Sequence, residues 1–135
     1  MTSKLLWEIG ASLQIVIAIA HFLGTLFSQL LHPTDKNLIE QMKTTILNVD
    51  KKATQWNAWI FFNLAFALCL FIVGVFSFMM AYQNFEMIKG VTILSLTQIV
   101  TSLIITYFAH KLSIRKVRTA FLITTLFYLI SIVMG

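Results

Sequence analysis

Acidic residues, cysteine, proline and glycine are all scarce in this 135-residue chain: five Asp and Glu together, one Cys, one Pro and five Gly. A lone cysteine, Cys69, excludes an intramolecular disulfide and Cys-rich metal sites. No phosphate-cradling glycine loop, nucleophile elbow or zinc-helix signature occurs, nor any Asn-x-Ser/Thr acceptor. Charged residues make up only 11% of the chain, against roughly 25% in soluble domains. Hydrophobic residues make up 59%, including twelve Phe and six Met. A water-soluble domain of this size cannot cover so much apolar surface with so few charges. The composition specifies a membrane protein.

Four apolar segments have about the 20-residue length that a bilayer demands. They cover approximately 9–31, 56–82, 90–109 and 117–134. The last is the least ideal, because Arg118 must bend its head back to the interface. No alternating strands are present to build a barrel, and an unpaired amide in lipid costs several kcal/mol, so each segment is expected to be helical. The predicted fold is all-α, a single integral membrane domain built as a four-helix bundle. A cleaved secretory leader is the alternative for the first segment, since "AIA" at Ala18 to Ala20 fits a small-x-small site. Glu8 and Gln14 interrupt that apolar run, and "FLGTLFSQLL" continues through the cut.

The net charge of +5 is better explained by loop than by nucleic-acid binding. Lys36, Lys43, Lys51 and Lys52 lie between segments one and two. Lys111, Arg115, Lys116 and Arg118 lie between three and four, leaving only Lys4 and Lys89 opposite. The positive-inside rule then makes loops 32–55 and 110–118 cytoplasmic. Both termini fall outside, in a plasma (inner) membrane. Basic loops also attract anionic lipid headgroups.

Within the first loop, an amphipathic helix is expected over about 35–50, between helices 1 and 2. Leu38, Ile39, Met42, Ile46 and Val49 share one face, opposite Lys36, Glu40, Lys43 and Lys51. Such a helix lies at the interface or binds a partner. "QNFEMIK", residues 83–89, reads as a tight external turn. Trp56, Trp59, Tyr82 and Tyr107 fit interfacial aromatic belts.

A polar line runs down the first segment. Gly10, Gln14, His21, Thr25, Ser28 and His32 all lie within about 40° of one line at 100° per residue. Polar groups in hydrocarbon face other helices or water, so this line should point inward. Matching faces occur on the second helix (Trp56, Trp59, Asn63, Ala67, Gly74, Ser77, Ala81), the third (Ser95, Gln98, Ser102, Thr106) and the fourth (Thr124, Tyr128, Ser131). His21, Gln98 and Tyr128 are expected near the midplane, with Asn63 nearer the cytoplasm. The candidate intramembrane cluster is therefore His21, Asn63, Gln98, Tyr128, Gln14 and Thr25. These groups either bind a ligand or join helices, at roughly 0.6 kcal/mol per interhelical hydrogen bond. His32 and His110, at one interface, are the only candidate pair for a metal or b-type haem. No third ligand accompanies them, so no cofactor is expected.

The run "GASLQIVIAIAHFLGTLF", residues 10–27, resembles the opening helix of small bacterial four-helix membrane proteins of the DoxX-like kind. Those often carry a glycine and then a late histidine or lysine there. The likeness covers one helix, and the acidic, Gly-rich second helix of that group is missing. Its members have diverse roles, so the resemblance implies an architecture rather than an activity.

Three function classes stay open. The first is a non-catalytic protein that binds a lipid-like or small apolar molecule in a polar-lined interior, or accompanies a membrane partner. The second is an oligomeric transporter or channel subunit. The third is a membrane enzyme using His21. The polar groups are neutral hydrogen-bonders, suited to orienting a ligand rather than moving charge, which favours the first.

Overall fold

A computed structural model describes residues 2–135 and is all-helical, with one isolated bridge (Ile46 to Thr54) and no strand among the described residues. The elements are α1 (Thr2–Leu26), α2 (Lys36–Thr44), α3 (Gln55–Asn84) with a 3-10 turn (Phe85–Met87), α4 (Ile93–Lys111) and α5 (Arg115–Val133). Four of these, α1, α3, α4 and α5, are long and apolar enough to cross a membrane.

Helix ends follow local hydrogen bonding more than hydropathy. α1 begins seven residues before the predicted start of the apolar run. Its charged end is accommodated by pairing: Lys4 stands 3.7 Å from Glu8 and donates to the Tyr82 carbonyl. α1 stops at Leu26 rather than near 31 because side chains take over its last carbonyls. Ser28 Oγ donates to Gly24 O, and His32 Nε2 donates to Thr25 O. α4 begins at Ile93, not 90, where Thr92 and Ser95 cap each other reciprocally in a capping box. Gly90, at φ +74°, makes the preceding turn in the left-handed region that glycine enters without steric cost.

The predicted 35–50 amphipathic helix is cut short. Asp35 caps its start by accepting from Asn37 N, but α2 ends at Thr44. The following Thr45 and Ile46 are β-branched and helix-averse. The Thr44 and Thr45 hydroxyls bond back to the Gln41 carbonyl. From there the chain makes a small hairpin, with Leu47 N donating to Ala53 O and Lys52 N to Asp50 Oδ1.

The chain divides into two compact units. The first joins α1 up to Ile17, α3 from Phe71, α4 and α5; the second is Ala18–Leu70. In the first, buried positions recur at three- and four-residue steps: Trp7, Ala11 and Gln14 on α1, Gly74, Ser77 and Ala81 on α3. On α4 they are Ser95, Gln98 and Ser102, and on α5 Phe121, Thr124, Thr125, Tyr128 and Ser131. α1 approaches α3 at Gly74, where an added Cβ would lie 2.9 Å from Ile15 Cγ1 and 3.3 Å from its backbone nitrogen. In the second unit, Ala18 and Thr25 of α1 and Ala67 and Leu70 of α3 are buried.

These buried faces mix apolar with uncharged polar residues, while much of the large apolar surface is exposed. Among the described residues nine buried side chains are polar and uncharged, all Gln, Ser or Thr, and none is charged. Large apolar residues such as Phe61, Phe62, Ile72, Phe76, Leu103 and Ile104 are exposed.

Candidate functional site

Each unit gathers three of the six candidate residues. In the first, α1, α4 and α5 bring Gln14, Gln98 and Tyr128 into a closed ring of hydrogen bonds. The Gln98 amide donates to Gln14 Oε1 and, at 2.9 Å, to the Tyr128 hydroxyl. That hydroxyl donates in turn to Gln14 Oε1 at 3.2 Å. Tyr128 is fully buried, its ring 4.6 Å from that of Trp7. The indole of Trp7 donates to Ser77 Oγ at 2.9 Å, which links α1 to α3. Ser102 and Thr125 join α4 to α5 at 2.7 Å, and Ser131 reaches the Ser3 carbonyl on α1.

Beside this network lies a cleft of about 330 Å³, at the lower end of the ~300–1,000 Å³ of small-molecule sites. One wall runs from Ile72 to Met80 on α3, the other from Leu94 to Gln98 on α4, with Trp7 and Ile88 between them. The lining is apolar except for Ser77, Thr97 and Gln98. Thr97 spends its hydroxyl on the Ile93 carbonyl. Sequence reasoning named Gln98 and placed Ser77 on the inward face, but not the apolar walls. Phe76, Met80 and Leu94 carry no signal apart from hydrophobicity, and a cleft exists only once helix register is set.

In the second unit His21 and Asn63 form a pair, with Nε2 of the imidazole 3.0 Å from Asn63 Oδ1. The Asn63 amide nitrogen is committed to the Trp59 carbonyl at 2.7 Å, so its oxygen must accept and His21 must carry its proton on Nε2. Phe66 stands edge-on to the imidazole at 5.2 Å. Thr25 donates to the His21 carbonyl, one turn earlier on α1.

Gln14 is the α1 residue that bonds both Gln98 and Tyr128. With α1 spanning Thr2–Leu26, Gln14 occupies its midpoint. His21 lies five residues from the end, about 8 Å at 1.5 Å per residue.

His32 and His110 each make a hydrogen bond of their own. His32 caps the Thr25 carbonyl and stands edge-on to Trp56 and Trp59, which stack 5.2 Å apart. His110 Nδ1 accepts from the Arg118 guanidinium at 3.2 Å across the α4–α5 turn. Among the described residues no three His, Cys, Asp or Glu side chains come together as a metal site. Comparison with known protein families, with characterised proteins and with solved structures finds no match.

Proposed function

We propose that this chain is a multi-pass protein of the plasma (inner) membrane. In this reading it is non-catalytic and holds a lipid-like or small apolar molecule in the α3–α4 cleft. The many exposed Phe, Ile and Leu side chains on four long apolar helices support the membrane as solvent. The cleft carries the ligand reading: its walls suit a hydrocarbon body, while Ser77 and Gln98 offer polar atoms at its edge. The basic loops 32–55 and 110–118 face the cytoplasm and both termini lie outside. α2, which has no buried residue and exposes Leu38, rests in the interface. The DoxX-like resemblance of the first helix is compatible with this architecture and adds no substrate.

The His21–Asn63 pair supports helix joining rather than chemistry. Both residues face each other, and the Asn63 amide is spent on a backbone carbonyl.

Trp7 lines the cleft, so it reports occupancy. In a Trp56→Phe/Trp59→Phe background Trp7 is the sole tryptophan. A brominated long-chain fatty acid at low mole fraction in bilayer nanodiscs should quench it saturably. Val73→Phe, which narrows the cleft, should weaken that quenching at least several-fold. Quenching that rises linearly with the brominated fraction, equally in both proteins, would show bulk lipid contact only and end this reading.

A further inference from the structure

The tip of the α4–α5 hairpin is the most one-sidedly charged part of the chain. Lys111, Arg115, Lys116 and Arg118 fall within eight residues, and no Asp or Glu follows Glu86. Every acid in the chain is already engaged elsewhere. Glu8, Glu40 and Glu86 pair with Lys4, Lys43 and Lys89. Asp35 and Asp50 accept from backbone amides. Arg118 is pinned to His110, whereas among the described residues Lys111, Arg115 and Lys116 have no ionic partner.

Beneath these charges the surface changes character over two helical turns. A shallow, open groove along α5 alone is lined by Arg115, Lys116, Thr119, Ala120 and Ile123. The two cations stand at its upper end, a hydroxyl and a methyl follow one turn later, and Ile123, 44% exposed, comes last. Thr97, Thr106, Thr124 and Thr125 turn their hydroxyls onto a carbonyl four residues back. Among the described residues the Thr119 hydroxyl has no partner. Charge, then a hydrogen-bonding group, then hydrocarbon is the order of groups along a phospholipid from phosphate to ester to acyl chain.

We propose that this groove is a binding site for one anionic phospholipid. The phosphate lies between Arg115 and Lys116, an ester oxygen accepts from Thr119, and the start of an acyl chain crosses Ala120 and Ile123. Arginine suits this role because its planar fork can donate two parallel hydrogen bonds to phosphate. A zwitterionic lipid presents its own cation to the same two side chains and so fits poorly. The site rests on the membrane reading above but not on the α3–α4 cleft.

The test is native mass spectrometry of the full chain, released from mild detergent after equilibration with equal amounts of phosphatidylglycerol and phosphatidylcholine. The wild type should retain one phosphatidylglycerol in preference. Each neutralised cation should weaken retention about fivefold, so Arg115→Gln/Lys116→Gln should lose roughly 25-fold. Lys51→Gln/Lys52→Gln removes the same charge from the other loop and should retain the lipid. Ala120→Phe, which blocks the lower groove but keeps every charge, should also weaken retention. Equal retention of both lipids overturns the proposal, as does equal loss in the two double variants. Displacement by glycerol 3-phosphate at concentrations comparable to the lipid overturns it too, since the acyl contact would then contribute nothing. Failure of the membrane reading itself would show separately, as release of the chain from membranes by alkaline carbonate.

Discussion

Gln98 is the residue on which the first unit's polar network turns, because both hydrogens of its amide are used. Gln98→Leu would leave the Gln14 carbonyl and the Tyr128 hydroxyl short of a donor at buried positions, a loss of about 1–3 kcal/mol. Tyr128→Phe leaves the Gln98–Gln14 bond but strands the second Gln98 amide hydrogen at a buried position, and should also cost about 1–3 kcal/mol. Reversible unfolding in mixed micelles should show a loss for both variants, and no loss for either would contradict the ring as drawn. These side chains were legible in the sequence as polar interruptions of apolar runs. Their partners were not. Which side chain of α1 meets Tyr128 is set by packing, and a hydropathy scan starts the helix late because Lys4 and Glu8 look like an end. Their mutual pairing lets the helix continue through them.

Helix contacts and helix ends are set by small residues and by hydroxyls. Gly74→Ala would drive a methyl into Ile15, including its backbone nitrogen at 3.3 Å, which cannot swing aside. Part of the α1–α3 contact must open, at about 1–3 kcal/mol, measurable as lowered thermal stability in detergent. At Gly90 space is open but φ is +74°, so Gly90→Ala should cost about 1–2 kcal/mol through the backbone alone. Asp35→Ala should cost about 1 kcal/mol of α2 stability, seen as faster amide exchange at 36–39 with no change in the long helices. The four long helices were readable from composition, because hydrocarbon length is a first-order constraint. The end of α2 was less so: the apolar face of 35–50 keeps helical period, and only the β-branched pair Thr45–Ile46 and the turn-forming Asn48 and Asp50 argue against it.

Across the whole molecule, charge and apolar surface are distributed for a membrane rather than for water. Eight of the ten Lys and Arg fall within residues 32–55 and 110–118, while the other two, Lys4 and Lys89, are each paired with a glutamate. The proposed topology puts Asn84 on one side of the membrane and residues 48 and 112 on the other. Substituted-cysteine labelling in a Cys69→Ser background tests this most directly, using a membrane-impermeant maleimide on intact cells. Asn84→Cys should label from outside, whereas Asn48→Cys and Leu112→Cys should label only after permeabilisation. Labelling of position 84 from the same side as 48 or 112 would contradict four crossings with shielded basic loops.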